Sequence, residues 1–148
     1  MAETNMLFSL PDSEGSLFQA QQHLPLVVYF YPKDNTAGCT TEAQQFSALL
    51  PQFQQLGYQI VGISRDSQKS HQNFINKHQL NITLLSDPDE TVCRQFHVIQ
   101  EKNMYGKKVM GIVRSTFILN EQGQISHAWH KVKAAGHAEQ VLTYLQSQ

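Results

Sequence analysis

Three largely apolar runs of strand length occur in the first two thirds of the chain, at residues 26–31, 58–64 and 82–85. Runs of this length without regular polar alternation are typical of central strands that are covered on both faces. The first two are followed by longer stretches with a different apolar spacing. The pattern therefore predicts strands alternating with helices in a layered α/β structure.

The stretches between these runs have the spacing of amphipathic helices. From Cys39 onward, apolar residues recur at steps of three and four, namely Ala43, Phe46, Leu49, Leu50 and Phe53. Pro51 lies inside this pattern and is expected to kink or divide the helix, and Gly57 is expected to close it. Ser67 is the predicted N-cap of a second helix, which runs to about His78.

The last third of the chain contains shorter segments. Residues 87–96 predict a short helix, and residues 102–109 predict a loop or an edge hairpin. Residues 115–119 and 124–130 lie on either side of an Asn-Glu-Gln-Gly turn and predict a hairpin. A final helix is expected from about His137. The order βαβαβα followed by ββα predicts a mixed β-sheet flanked by helices.

The length and charge of the chain limit the classes of protein to which it can belong. The 148 residues fit a single domain, residues 1–148, with a core of its own. The formal charge of −1 comes without a basic stripe, so a nucleic-acid partner is not expected. No apolar stretch approaches the length of a membrane span, and the first residues do not resemble a signal peptide. A soluble cytoplasmic protein with no membrane association is expected.

The position of Cys39 indicates a reactive thiol. It follows the apolar run 26–31 and stands where the next helix begins, close to Thr36, Gly38 and Thr40. Unpaired backbone N–H groups at a helix N-terminus favour the thiolate over the thiol. The neighbours are small or hydroxylated, so a small substrate could approach the sulfur. A structural cysteine buried among apolar residues fits these neighbours poorly.

The seven histidines do not predict a metal centre. His127 and His130 are three residues apart on a predicted strand, so their side chains point to opposite faces. His71 and His78 share one helix face but are two turns apart. No closed set of ligands follows from this spacing, and we expect no metal and no cofactor.

The residues around Cys39 resemble those of the peroxiredoxins. Pro32, Thr36 and Cys39 have the spacing Pro-x-x-x-Thr-x-x-Cys, and Arg114 stands just before a predicted strand. Further segments are similar to the bacterioferritin comigratory protein, or peroxiredoxin Q, branch: residues 31–34, 38–40, 84–89, 111–117, 131–133 and 136–137. The resemblance implies a thioredoxin-like fold and the reduction of hydroperoxides by thiol chemistry.

The same resemblance implies roles for five residues. Cys39 would attack one peroxide oxygen and become a sulfenic acid. Arg114 would stabilise the thiolate and hold the peroxide with a fixed fork of donors. The Thr36 hydroxyl would accept a hydrogen bond from the peroxide. Pro32 would shield the thiolate from water, and Glu42 would orient Arg114, although it equally fits an acid that complements the helix dipole.

The sequence departs from this branch in its second cysteine. Many relatives carry a resolving cysteine at the position of Gln44, and others carry it at the position of Ile75. Cys93 is the other thiol here, and its apolar neighbours favour an inert buried residue over a resolving one. A one-cysteine peroxidase is therefore expected, with thioredoxin, glutaredoxin or a small thiol as reductant. A two-cysteine enzyme with Cys93 as the resolving residue is the alternative.

Two other functions fit these residues less well. A thiol–disulfide oxidoreductase of this fold would need a cysteine at position 36, which is Thr36. A thioredoxin-fold binding or chaperone module with a vestigial site would not need Pro32, Thr36, Cys39 and Arg114 together. A peroxidase is the function that the residues favour, and the resemblance to this branch implies a monomer.

Overall fold

The computed structural model describes residues 5–148 and contains nine strands. Residues 5–148 hold no helix that is long and apolar enough to cross a membrane. The strands are β1 (Ser9–Pro11), β2 (Leu17–Gln19), β3 (Leu26–Phe30), β4 (Gln59–Ser64), β5 (Thr83–Ser86), β6 (Ile99–Met104), β7 (Lys107–Ile112), β8 (Ser115–Leu119) and β9 (Ile125–His130). The α-helices are α1 (Ala37–Gln55), α2 (Gln68–His78), α3 (Thr91–Gln95) and α4 (His137–Gln146).

A five-stranded mixed sheet forms the centre of the molecule, in the order β5-β4-β3-β8-β9. β3 is the middle strand. It pairs in parallel with β4, with Val28 opposite Val61, and antiparallel with β8, with Val28 opposite Phe117. The α1 and α2 crossovers supply the long connections that the parallel strands β3, β4 and β5 require. The predicted mixed sheet flanked by helices is confirmed, and the fold is thioredoxin-like.

The sheet divides the apolar core into two halves. Successive residues of β3 point to opposite faces, so Val28 and Phe30 belong to one half, and Val27 and Tyr29 to the other. The half that contains Tyr29 packs against α1, α2 and α4, as the shared cluster of Phe46, Phe74 and Leu142 shows. The half that contains Phe30 packs against β1, β2 and α3, through Leu10, Phe18 and Phe96. Both faces of the central strand are therefore dry, as its apolar run predicts.

The structure differs from the predicted elements at three places. The hairpin of β1 and β2 was not predicted, because strands of three residues are too short to show a periodic pattern. Residues 102–109 belong to a hairpin, one of the two forms predicted, but β6 and β7 form a separate two-stranded sheet. Of the two effects expected of Pro51, a kink or a division, the division does not occur, because α1 continues through Pro51 to Gln55.

Candidate active site

Cys39 lies in the first turn of α1, just beyond the carboxyl end of the central strand β3. A loop of residues 31–36 joins the two elements. Thr36 is the N-cap, with extended backbone angles, and its carbonyl accepts the first helical bond from the Thr40 N–H at 2.9 Å. The N–H groups of the first helical turn have no partner within the helix and point toward its N-terminal end. The predicted placement of Cys39 at a helix N-terminus is therefore observed, with the residue 2% exposed.

The Thr36 side chain does not cap the helix. Its hydroxyl donates a hydrogen bond of 2.8 Å to the carbonyl oxygen of Lys33 instead. A hydroxyl has one proton to donate and two lone pairs that accept. Because the proton is committed to Lys33, the hydroxyl oxygen is left as an acceptor at the start of α1.

Arg114 brings a distant part of the chain to Cys39. It lies between β7 and β8, and its Nη2 is 3.4 Å from the Cys39 Sγ. Its Nη1 donates to Glu42 Oε1 at 2.6 Å. The backbone is held as well, because the Val132 N–H donates to the Arg114 carbonyl at 3.1 Å. One guanidinium thus connects the thiol to a carboxylate one turn farther along α1.

Glu42 is fully buried beside this guanidinium. Burial raises the pKa of Glu42 from 4.5 to about 7, while the charge and the hydrogen bond of Arg114 act in the opposite direction. Burial by itself lowers the pKa of Arg114, but Glu42 and Cys39 outweigh it, so the pKa of Arg114 is raised overall. The guanidinium therefore keeps its charge, and the charge of Glu42 changes near neutral pH.

The small residue before Cys39 is needed for this close approach. A Cβ atom at Gly38 would lie 3.2 Å from the Arg114 Nη2, closer than ordinary van der Waals contact, and 3.7 Å from the Ala134 Cβ. Gly38 thus leaves room for the guanidinium beside the thiol. Pro32, the remaining residue of the predicted motif, lies half-buried in the loop that joins β3 to α1.

Similar proteins are known for nearly the whole chain. The AhpC/TSA family model matches residues 3–128. Over 122 residues the chain is 59% identical to peroxiredoxin Bcp of Xanthomonas campestris, an alignment that spans 82% of this chain and 76% of that protein. The chain belongs to the AhpC/TSA family.

Solved structures agree with this assignment. A bacterioferritin comigratory protein of Xanthomonas campestris has a TM-score of 0.89 and 53% identity, over 95% of this chain and 90% of that one. A peroxiredoxin Q variant of Xylella fastidiosa has a TM-score of 0.91 and 42% identity, over 99% of this chain and 92% of that one. The predicted resemblance to the Bcp, or peroxiredoxin Q, branch of the peroxiredoxins is confirmed, and with it the class of peroxidase.

The second thiol of this peroxiredoxin lies on the other side of the sheet. Cys93 is in α3 and belongs to the half of the core that contains Phe30, whereas Cys39 belongs to the half that contains Tyr29. Both cysteines are free. Burial, followed by the hydrogen bond and the charge of Asp87, raises the pKa of the Cys93 thiol well above its usual value. Cys93 is therefore a protonated thiol inside the core.

Lys102 is a further cation near the site, and sequence reasoning did not identify it. Its stem lies across Gly111, where a Cβ atom would be 3.3 Å from the Lys102 Cδ and 3.9 Å from the Arg65 Nη2. Burial lowers the pKa of Lys102, and the charges of Arg114 and Arg65 lower it further, while Cys39 acts in the opposite direction. Only the folded hairpin of β6 and β7 brings Lys102 toward this position, so no local motif could have indicated it.

One group within residues 5–148 has the proximity of metal ligands. Side-chain atoms of Asp34, Asp66 and His71 lie within 4.8 Å of one another. The spacing of histidines had not suggested this group. Direct hydrogen bonds account for the proximity, because His71 Nδ1 is 2.7 Å from Asp34 Oδ2 and the Asp34 N–H donates to Asp66 Oδ2 at 2.9 Å. A hydrogen-bonded network thus explains this cluster without a metal ion.

Proposed function

We propose that this protein is a thiol-dependent peroxidase in which Cys39 reduces hydrogen peroxide and organic hydroperoxides. The observation that carries the proposal is the Arg114 guanidinium, which reaches the Cys39 sulfur with one nitrogen and Glu42 with another. The similar Xanthomonas campestris protein is described by its alkyl peroxide reduction activity, which supports organic hydroperoxides as substrates.

The first step is attack of the Cys39 thiolate on one peroxide oxygen. The S–O bond forms as the O–O bond breaks, and the leaving oxygen takes a proton to depart as water or an alcohol. Cys39 is oxidised to the sulfenic acid while the peroxide is reduced. Arg114 donates to the oxygens on which charge develops, and so do the free N–H groups of the first turn of α1. Preorganised hydrogen-bond donors stabilise the transition state more than the ground state.

Thr36 orients the peroxide for this attack. Its hydroxyl proton is donated to the Lys33 carbonyl, so its oxygen accepts from the O–H of the peroxide. The peroxide is then held by an acceptor on one side and by the Arg114 donors on the other. Pro32 has no backbone N–H to donate, and it lines the approach to the thiolate without competing for the substrate.

The proposed enzyme is of the one-cysteine type. Cys93 is buried on the opposite face of the sheet, and its thiol is held protonated. Since the thiolate is the nucleophile in thiol exchange, Cys93 is poorly suited to attack a sulfenic acid at Cys39. An external thiol therefore attacks the Cys39 sulfenic acid, releases water and leaves a mixed disulfide. A second thiol then restores the Cys39 thiol. Thioredoxin, glutaredoxin and small thiols are the candidate reductants of this monomeric enzyme.

The proposal is tested by peroxide-dependent consumption of thiol by the purified protein. Wild-type protein and Cys93→Ser are expected to turn over at the same rate, and Cys39→Ser is expected to be inactive. Supplying thioredoxin, glutaredoxin and glutathione in turn identifies the reductant. Activity that persists in Cys39→Ser would refute the assignment of the site.

Intact mass after one equivalent of peroxide tests the cysteine type. With a sulfenic-acid trap present, wild-type protein is expected to gain one trap adduct at Cys39, and Cys93→Ser is expected to behave in the same way. A wild-type protein that instead loses two hydrogens, and that is trapped only when Cys93 is replaced, would show a two-cysteine enzyme with Cys93 as the resolving residue.

A further inference from the structure

A buried carboxylate in the loop before Cys39 has no role in the chemistry described above. Asp34 is 4% exposed, and its carboxylate lies within hydrogen-bond distance of three side chains. The Tyr31 hydroxyl donates to Oδ1 at 2.6 Å, and the Ser70 hydroxyl donates to Oδ2 at 2.8 Å. The third partner is His71 Nδ1, 2.7 Å from Oδ2. Ser70 and His71 belong to α2, so the carboxylate joins the loop of residues 31–36 to that helix.

The partners of His71 determine its protonation. The ring is fully buried, and Nε2 lies 3.0 Å from the carbonyl oxygen of Leu85, while Nδ1 faces the Asp34 carboxylate. Both partners accept hydrogen bonds. A neutral imidazole has only one N–H, so a ring that donates to both carries two protons and a positive charge. The two distances fit an imidazolium paired with the Asp34 carboxylate, away from water.

The backbone of residues 31–36 is also held by hydrogen bonds at Asp34. The Asp34 N–H donates to Asp66 Oδ2 at 2.9 Å, and the same oxygen accepts from the Ser64 hydroxyl at 2.7 Å. The next residue, Asn35, has a φ of 62°, which non-glycine residues adopt infrequently. Thr36 follows immediately. Hydrogen bonds to the end of β4 and to α2 thus hold the loop in the conformation that places the Thr36 oxygen at the start of α1.

We propose that the Asp34–His71 ion pair is a positioning device that holds residues 31–36 in the peroxide-binding conformation. The proposal rests on the proposed function of Cys39. Neither residue touches the thiol, so both act through Thr36 and the start of α1. A displacement of about 1 Å in a group that aligns a substrate can lower a rate by about a hundredfold. The pair therefore affects the reaction with peroxide more than it affects the thiol itself.

The protonation of His71 can be measured in the unmutated protein. Long-range ¹H–¹⁵N correlation spectra distinguish a ring with two protonated nitrogens from either neutral tautomer. We expect the wild-type spectrum to show two protonated nitrogens for His71, and the Asp34→Asn spectrum under the same conditions to show a neutral ring. A neutral His71 in the wild-type protein, or the same spectrum in both proteins, overturns the ion pair.

The positioning role is tested by two rates measured at Cys39. The first is the rate of sulfenic acid formation with hydrogen peroxide, and the second is the rate of alkylation by iodoacetamide, which does not require Thr36. We expect Asp34→Asn and His71→Gln to slow the peroxide reaction about tenfold or more, with the alkylation rate unchanged within about threefold. Gln72→Ala, an exposed position on the same helix that does not touch the loop, should change neither rate.

The possible outcomes separate this proposal from the proposed function. Variants that react with peroxide at the wild-type rate overturn the positioning role and leave the function intact. A parallel loss of both rates also overturns it, because it indicates general loss of structure. Wild-type protein that does not react at Cys39 overturns both proposals. If either variant fails to fold, the other variant and the His71 spectrum of the wild-type protein decide the question.

Discussion

Arg114 is a single residue with two tasks, since its two terminal nitrogens contact the Cys39 sulfur and the Glu42 carboxylate. We expect Arg114→Ala to slow sulfenic acid formation by about a hundredfold, the usual loss when one preorganised donor to a transition state is removed. Arg114→Lys should recover only part of this, because an ammonium supplies charge without the planar fork. Stopped-flow measurement of the rate with hydrogen peroxide checks both expectations.

A second arginine provides a control for the Arg114 substitutions. Arg94 is exposed in α3 and pairs with Glu90 rather than with Cys39 or Glu42, so Arg94→Ala should leave the peroxide rate unchanged. If Arg114→Lys reacts as fast as the wild-type protein, charge alone is sufficient and the bidentate geometry of Arg114 does not contribute.

Glu42 links the stability of the fold to pH. Its pKa is raised from 4.5 in the unfolded chain to about 7 in the folded protein, because the carboxyl group is buried. Its contribution to stability is therefore fully present below pH 4.5 and is lost as the pH rises through 7. The raised pKa corresponds to at most about 3 kcal/mol of unfolding free energy.

Glu42→Gln removes this titration and keeps the shape of the side chain. Urea denaturation between pH 5 and pH 8 should show the wild-type protein losing stability relative to Glu42→Gln by about 1–3 kcal/mol as the pH rises. Parallel pH dependences for the two proteins would show that Glu42 has an ordinary carboxyl pKa in the folded state.

At the scale of elements, the packing at the centre of β4 requires a residue without a side chain, Gly62. A Cβ atom at Gly62 would lie 2.7 Å from the ring of Tyr29 and 2.9 Å from Leu84, both of which are buried. Overpacking of this kind costs about 1–3 kcal/mol, so Gly62→Ala should lower the unfolding free energy by that amount. Chemical denaturation measures the loss.

Gly111 provides the control for that substitution. It lies in β7 with an ordinary φ, and the Cβ of Gly111→Ala would meet only the flexible stem of Lys102 and the end of Arg65. The loss of stability should therefore be smaller than for Gly62→Ala. Equal losses would show that alanine in a strand is tolerated no better beside a flexible side chain than inside the core.

At the scale of the whole molecule, the sheet separates two cores of which only one contains Cys39. Phe46 of α1 stacks on Tyr29 on the side of Cys39, and Phe96 packs on Phe30 on the other side. Replacing either phenylalanine by alanine should cost about 3–5 kcal/mol of unfolding free energy.

The two substitutions should differ in their effect on the reaction. Phe46→Ala should slow the peroxide reaction, because α1 carries Cys39, whereas Phe96→Ala should leave it nearly unchanged while the protein is folded. Melting temperatures and peroxide rates, measured on the same samples below both transitions, check this. A slower reaction in Phe96→Ala alone would contradict the independence of the two cores.

The sequence alone determined the framework and the residues of the motif. The apolar runs predicted the central strands because residues covered on both faces must be apolar at every position. Helix α1 was predicted from its three- and four-residue spacing, and Ser67 was predicted as the N-cap of α2, where its side chain accepts from the Ser70 N–H. These features depend on local backbone geometry, which a short stretch of sequence specifies.

The tertiary structure decided which distant residues meet. The approach of Lys102 toward the site and the pairing of Asp34 with His71 join parts of the chain that no local pattern connects. Only the family resemblance, and no local pattern, indicated the contact of Arg114 with Glu42. The hairpin of β1 and β2 reaches the core only through tertiary packing. The separation of Cys93 from Cys39 likewise follows from the face of the sheet that each helix covers. The spacing of apolar residues in the sequence predicts which face of a helix or strand a side chain lies on. The contacts of that side chain and its charge state depend on what the fold packs against that face.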